Sequence, residues 1–161
     1  MLNRLTTPGP RGDLYTPEER ARRDATPWTA VQGVLAPLQF AVFLVSLWLM
    51  VRWSAGAGSF EAAAWSVVAK TALLLTIMVT GSIWEKVVFG RWLFAPTFFW
   101  EDVVSLGVIA LHLAYLAAFL GGWLGEGALM ALALAAYAAY LVNFAQFVWK
   151  LRLARLSAVP A

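Results

Sequence analysis

Four long apolar runs separated by short polar breaks constrain this chain more than any other feature. They occupy about residues 31–53, 62–84, 103–121 and 127–149. Each is long enough to cross a hydrocarbon core of about 30 Å at 1.5 Å per helical residue. A backbone surrounded by lipid has to satisfy its own hydrogen bonds, so runs of this length read as helices. With 61% hydrophobic and 13% charged residues, and a mean hydropathy of +0.72, a soluble all-α bundle would lack the polar helix faces it needs. The expected fold is therefore all-α, an integral membrane four-helix bundle. Residues 1–28 form a polar arm, 29–151 the membrane domain and 152–161 a tail. Within the arm, Thr16-Pro17 opens a short charged helix through Glu18, Glu19, Arg20, Arg22, Arg23 and Asp24, expected to lie at the membrane interface.

The basic residues report orientation. Nucleic-acid binding is not expected, although the pI is near 9.6, because the cations gather at the ends of apolar runs instead of forming an aromatic-interleaved tail. The arm, the 85–102 connection with Lys86 and Arg91, and the tail with Lys150, Arg152 and Arg155 hold ten Lys and Arg residues between them, against Arg52 alone on the other side. That asymmetry predicts a multi-pass membrane protein with both termini cytoplasmic. Trp28, Trp84, Trp92, Trp100 and Trp149 fall near the same interface, so the aromatic 85–102 connection is expected to be amphipathic and to lie on the membrane. The chain has no cysteine, which rules out disulfides, thiolate metal sites and cysteine nucleophiles.

Polar residues inside apolar spans are costly and usually face a bundle interior. Gln32, Gln39 and Ser46 recur every seven positions on the first helix, around Pro37. On the third, Glu101, Ser105 and His112 fall within about 40° of one another at 100° per residue. The second carries Lys70 with Gly81 and Glu85 on one side, and the fourth carries Tyr140, Asn143 and Gln146. This spacing outlines a pocket entered past Glu85, Glu101 and Asp102 and closed below by His112 and Lys70. Plainer readings stand beside it. Interhelical hydrogen bonds account for Gln39, Asn143, Gln146 and Ser105; Lys70 can snorkel to the interface; His112, the one histidine, can be structural.

Three blocks of residues carry a resemblance. They are Glu19-Arg20 to Ala25-Thr26 with Val31 to Phe40; Met78 to Lys86 (MVTGSIWEK) with Phe89-Gly90-Arg91 and Leu93 to Val103 (LFAPTFFWEDV); and Ala139 to Asn143 with Gln146-Phe147 and Lys150-Leu151-Arg152. Together they resemble the 3-vinyl (bacterio)chlorophyllide hydratase family of bacteriochlorophyll biosynthesis, also named 2-vinyl bacteriochlorophyllide hydratase, over nearly the whole chain after Leu14. The resemblance implies a lyase that adds water to the C3-vinyl group of a (bacterio)chlorophyllide, giving the 3-(1-hydroxyethyl) derivative. It implies no external cofactor, because the only metal is the magnesium that the substrate carries.

Such a hydration needs a proton donor and a held water. A carboxyl group buried against apolar surface stays protonated more readily. Glu101 is the first choice of acid and Asp102 the second, with Glu85 as the base that orients water unless Lys86 or Arg91 ties it up in a salt bridge. The anionic ring propionate suits Lys86, Arg91 or a basic residue of the arm. Trp84, Phe99 and Trp100 are candidates to stack on the macrocycle. Gln39 and Asn143 line the pocket, and His112 is a candidate axial ligand of the substrate magnesium. The expected partners are the pigment, water and the bilayer; Ala-rich surface around 131–139 would permit a homo-oligomer or association with other pigment-synthesis enzymes. Two rival functions use the same residues differently. A non-catalytic pigment-binding or assembly protein needs no acid, and a small transporter would use Lys70 and His112 as a proton path.

Overall fold

The computed structural model describes residues 13–157, which form five helices: α1 (Pro17–Ala25), α2 (Pro27–Ser54), α3 (Phe60–Phe89), α4 (Phe99–Gly121) and α5 (Glu126–Ser157). The last four are long and apolar enough to cross a membrane, so the chain is a multi-pass membrane protein. Large side chains such as Leu44, Trp48, Val79, Leu120 and Val142 stand on their outer faces, each about half exposed or more. Such all-round apolar cover suits lipid rather than water.

The short helix expected in the arm is present as α1. Thr16 Oγ1 accepts the Glu19 N–H at 3.2 Å while the Glu19 carboxylate accepts the Thr16 N–H at 2.9 Å, a reciprocal cap that satisfies two otherwise unpaired donors. Thr26 separates α1 from α2 and caps the second helix, with Pro27 at its first position. Arg22 Nε then donates to the Val88 carbonyl at 2.8 Å, and Tyr15 stacks on Phe89, so α1 is fastened to the end of α3. Burial raises the Tyr15 phenol above the ordinary tyrosine range, with the Arg23 guanidinium opposing that shift. Thr16→Ala should loosen α1 by about 1 kcal/mol, read as faster amide exchange confined to residues 17–25. Unchanged exchange there would mean that the contacts with α3, not the cap, hold the helix.

The helices alternate in direction as two hairpins. In the first, Gln32 Nε2 bonds Thr80 Oγ1 at 2.7 Å and Ser46 Oγ meets Ser66 Oγ at 2.7 Å. In the second, Asn143 Oδ1 accepts from Ser105 at 3.0 Å. The inward positions of α4, Glu101, Ser105, Val108, His112, Tyr115 and Ala118, step by three and four, as one face of a helix does. Between the hairpins, Phe40 stacks on Phe144 and Phe43 meets Tyr137 edge-on. Ser46 also bonds the Tyr137 hydroxyl, and the Tyr115 hydroxyl donates to the Ala64 carbonyl at 3.0 Å. Small residues at the contacts, Ala63, Ala64, Ala133 and Ala136, are fully buried and let the backbones approach closely.

Two differences from the sequence reading bear on the site. The helices overrun the apolar runs at most ends: α3 continues through Glu85 and Lys86 to Phe89, and α5 continues past Lys150. Charge ends a hydropathic run without ending a helix, because Glu, Lys and Arg are good helix formers. Lys70 does not snorkel. It is completely buried, with Nζ 3.6 Å from the centre of the Tyr140 ring.

Candidate active site

The non-helical connection between α3 and α4 is only residues 90–98, and its path is set by two carboxyl groups. It begins where Gly90, at φ 79°, takes the left-handed conformation that closes α3 and that glycine adopts without penalty. Phe94 also has a positive φ, 60°, which a side-chain-bearing residue adopts only when its surroundings over-determine it. Here they do: the Phe94 N–H donates to Asp102 Oδ2 at 2.7 Å and the next N–H, of Ala95, donates to Glu85 Oε2 at 3.3 Å. Two successive amides of the connection are thus captured by carboxylates from two different helices. Ala95 and Phe98 are drawn inward and buried, so this part of the connection packs against the helix ends.

Glu85 and Asp102 are near neighbours, holding successive amides of one connection, and the charge of Asp102 acts on Glu85. They are 6% and 3% exposed. Two buried carboxyl groups this close do not both ionise readily, so the pair is suited to hold a proton just beneath an aromatic rim. That rim is Trp92, Phe99 and Trp100, all exposed, with the Phe94 ring 5.7 Å from Phe99.

Glu101 faces a different partner. Its Oε1 lies 3.6 Å from Lys150 Nζ, and its carbonyl accepts from Ser105 at 2.7 Å and Asn143 at 3.0 Å. Lys150 also donates to the Thr97 carbonyl and sits over the Phe98 ring, so one lysine ties α5 to both α4 and the connection. Charge counting treats Lys150 as a topology signal only, and nothing local marks it as a site residue; its role depends on where α5 ends relative to α4.

The other predicted residues separate into groups. Lys86 does not pair with Glu85: one residue on, it points outward, and its Nζ donates to the Gly90 carbonyl at 2.9 Å and approaches the Trp92 ring. Arg91 is exposed beside it. Trp84 is committed elsewhere, with Nε1 donating to Thr29 Oγ1 at 2.9 Å and its ring edge-on to Phe89 and Phe98. Asn143 spends its amide on Ser105, Glu101 and Gln146, which makes it a fastener of α4 to α5. Gln39 is buried in α2. His112 is completely buried beside Tyr137, ten residues from Asp102 on α4, or about 15 Å along the helix. A macrocycle would have to part the helices to reach it.

Among known sequences, residues 15–153 match the family model described as 2-vinyl bacteriochlorophyllide hydratase. A curated protein of that name from Rhodobacter capsulatus is 64% identical over 148 residues, covering 92% of this chain and 86% of its own length. Another, from Cereibacter sphaeroides, is 62% identical over 147 residues and covers 91% of both chains. No solved structure matches the chain. Identity at this level over nearly the full helical region places the chain in the 2-vinyl bacteriochlorophyllide hydratase family.

Proposed function

We propose that the chain is a hydro-lyase that adds water to the vinyl group of a bacteriochlorophyllide, and that the Glu85–Asp102 pair beneath the aromatic connection supplies the proton. The reaction is that of the relatives named above. Placing the hydroxyl on the ring-side carbon requires protonation of the terminal carbon first. The resulting cation is delocalised into the macrocycle, water attacks it, and the proton lost by that water returns to the carboxylate pair. Atoms balance with one water consumed, no redox partner is called for, and the magnesium enters only as part of the substrate.

The observation that carries this assignment is that two buried carboxyl groups from different helices hold successive amides of the same connection. Asp102 sits in the first turn of α4 and accepts the shorter amide bond, 2.7 Å against 3.3 Å for Glu85. Helix N-termini favour negative charge and C-terminal ends disfavour it, and Glu85 lies one turn short of the end of α3. The mobile proton therefore belongs on Glu85, which becomes the general acid, with Asp102 its ionised partner. Glu101, facing the Lys150 ammonium, holds the connection in place. The Phe99 and Trp100 rings supply an apolar face for the macrocycle, and Lys86 and Arg91, both exposed on the rim, suit its propionate.

This end of the bundle also carries Lys150, Arg152 and Arg155 at the close of α5 and the arginines of α1. The positive-inside rule then puts both termini and the active site on the cytoplasmic side of the bacterial inner membrane. Purified protein given the vinyl pigment should yield a product heavier by one water. Pigment that binds and is recovered unchanged would make the protein a carrier, and flux across sealed vesicles without chemical change would make it a transporter.

A further inference from the structure

The proposed hydration leaves two buried polar side chains unused, and each has a nitrogen with nothing to bond. Lys70 and His112 are both 0% exposed. Among the described residues, Lys70 Nζ and His112 Nε2 are the buried side-chain nitrogens or oxygens without a hydrogen-bond partner. They lie at one level of the bundle, since Lys70 Nζ sits 3.6 Å from the centre of the Tyr140 ring and the His112 ring packs 5.9 Å from that of Tyr137, one turn away on α5, yet they do not bond directly. Buried polar atoms in proteins are almost always satisfied, so two orphans in one place need a physical cause.

The partners they already have define what is missing. Lys70 lies ten residues into α3, about 15 Å from its start, between the buried Val67 and Leu74. The neighbouring Thr71 hydroxyl is spent on the Val67 carbonyl at 2.8 Å. The Tyr140 ring face, 3.6 Å from Nζ, receives the cation from one direction only, while an ammonium has three N–H donors. On α4, His112 Nδ1 lies 2.8 Å from the Val108 carbonyl. A carbonyl only accepts, so Nδ1 carries the hydrogen, and in the neutral ring Nε2 is left as a bare acceptor.

One pure donor and one acceptor that cannot reach each other call for a molecule that accepts from the first and donates to the second. An inorganic anion would accept from the ammonium but set its charge against the Nε2 lone pair. A metal cation would bond Nε2 but be repelled by the ammonium. Water does both, and buried waters characteristically bridge polar groups that would otherwise be unsatisfied. We propose that Lys70 and His112 form a binding site for an internal water molecule in the middle of the bundle, where it links α3 to α4. The two hairpins are joined on either side of this level, by the Ser46–Tyr137 and Tyr115–Ala64 bonds in one direction and, in the other, by the connection whose successive amides Asp102 and Glu85 hold. The water supplies the link between them, and it does so whether or not the hydration chemistry is as proposed.

His112 is the one histidine of the chain, so protein labelled with 15N-histidine and placed in lipid nanodiscs gives a single imidazole to observe. The expected spectrum has Nδ1 protonated, Nε2 unprotonated and hydrogen-bonded, and a cross-relaxation signal between the ring and a bound water. In Lys70→Met, which keeps an unbranched apolar stem, the water signal should be lost and Nε2 should move to the position of a free acceptor. Lys70→Gln provides a polar variant in case the first does not fold: its amide can donate to Nε2, so the hydrogen bond should persist without the water. A protonated Nε2 in the wild-type protein would overturn the proposal in favour of an anion site. A wild-type ring with no water contact, or a water contact that survives both substitutions, would also overturn it.

Discussion

Glu85→Gln is expected to reduce kcat for vinyl hydration by about 10²- to 10⁴-fold, the usual contribution of a general acid, while pigment binding is retained. The glutamine carbonyl can still accept the Ala95 N–H that Glu85 holds at 3.3 Å, and its amide can donate to Asp102. The connection should therefore keep its path while the transferable proton disappears. Turnover would be followed by the absorbance change as the vinyl group leaves conjugation, and binding by titrating the same pigment. Glu101→Gln is the comparison. Glu101 is the acid that sequence reasoning puts first, but its carboxylate faces Lys150 at 3.6 Å, so its amide variant should weaken the hold on the connection and cost much less in kcat. If Glu101→Gln abolished turnover and Glu85→Gln did not, the carboxyl pair would not be the proton source.

Ala64→Leu should produce the largest loss of stability. Lipid is as apolar as leucine, so helices in a membrane associate through close fit rather than escape from water. Ala64 is completely buried beside Ala63 and Val67, and its carbonyl receives the Tyr115 hydroxyl. Added carbons at that contact push α3 from α4 and lengthen the hydrogen bond together, at a cost of about 1–3 kcal/mol. Ala131→Leu, on the exposed face of α5, adds the same carbons against lipid and should be nearly neutral. Unfolding in mixed micelles of increasing denaturing detergent would compare them, and equal midpoints would show that the α3–α4 contact is looser than the structure has it.

Much of this arrangement was legible before any coordinates. Residue volume and hydropathy are local properties, so the four runs emerge from the sequence alone, and helical periodicity correctly gathers Glu101, Ser105 and His112 onto one inward face. The Thr16 cap is equally local, since the cap and the glutamate that completes it lie three residues apart. Hydropathy marks out the 85–102 stretch but overstates its length, because charged residues end an apolar run while the helices continue through them.

What periodicity cannot say is which neighbour an inward face will meet. Glu85 had Lys86 and Arg91 close by in sequence, yet it meets Asp102 from another helix, since adjacent helical residues point about 100° apart. Lys150 carries no local mark of its contact with Glu101 and Thr97, and the positive φ of Phe94 follows from a bond to Asp102 eight residues away. Lys70 could equally have reached toward the interface; the Tyr140 ring above it and the close packing of α3 decide otherwise. The sequence by itself determined that this chain has four helices long and apolar enough to cross a membrane, and which of their polar residues share a face. Only the tertiary structure decided which carboxyl groups come together on the connection, because that depends on distances between helices that no single helix encodes.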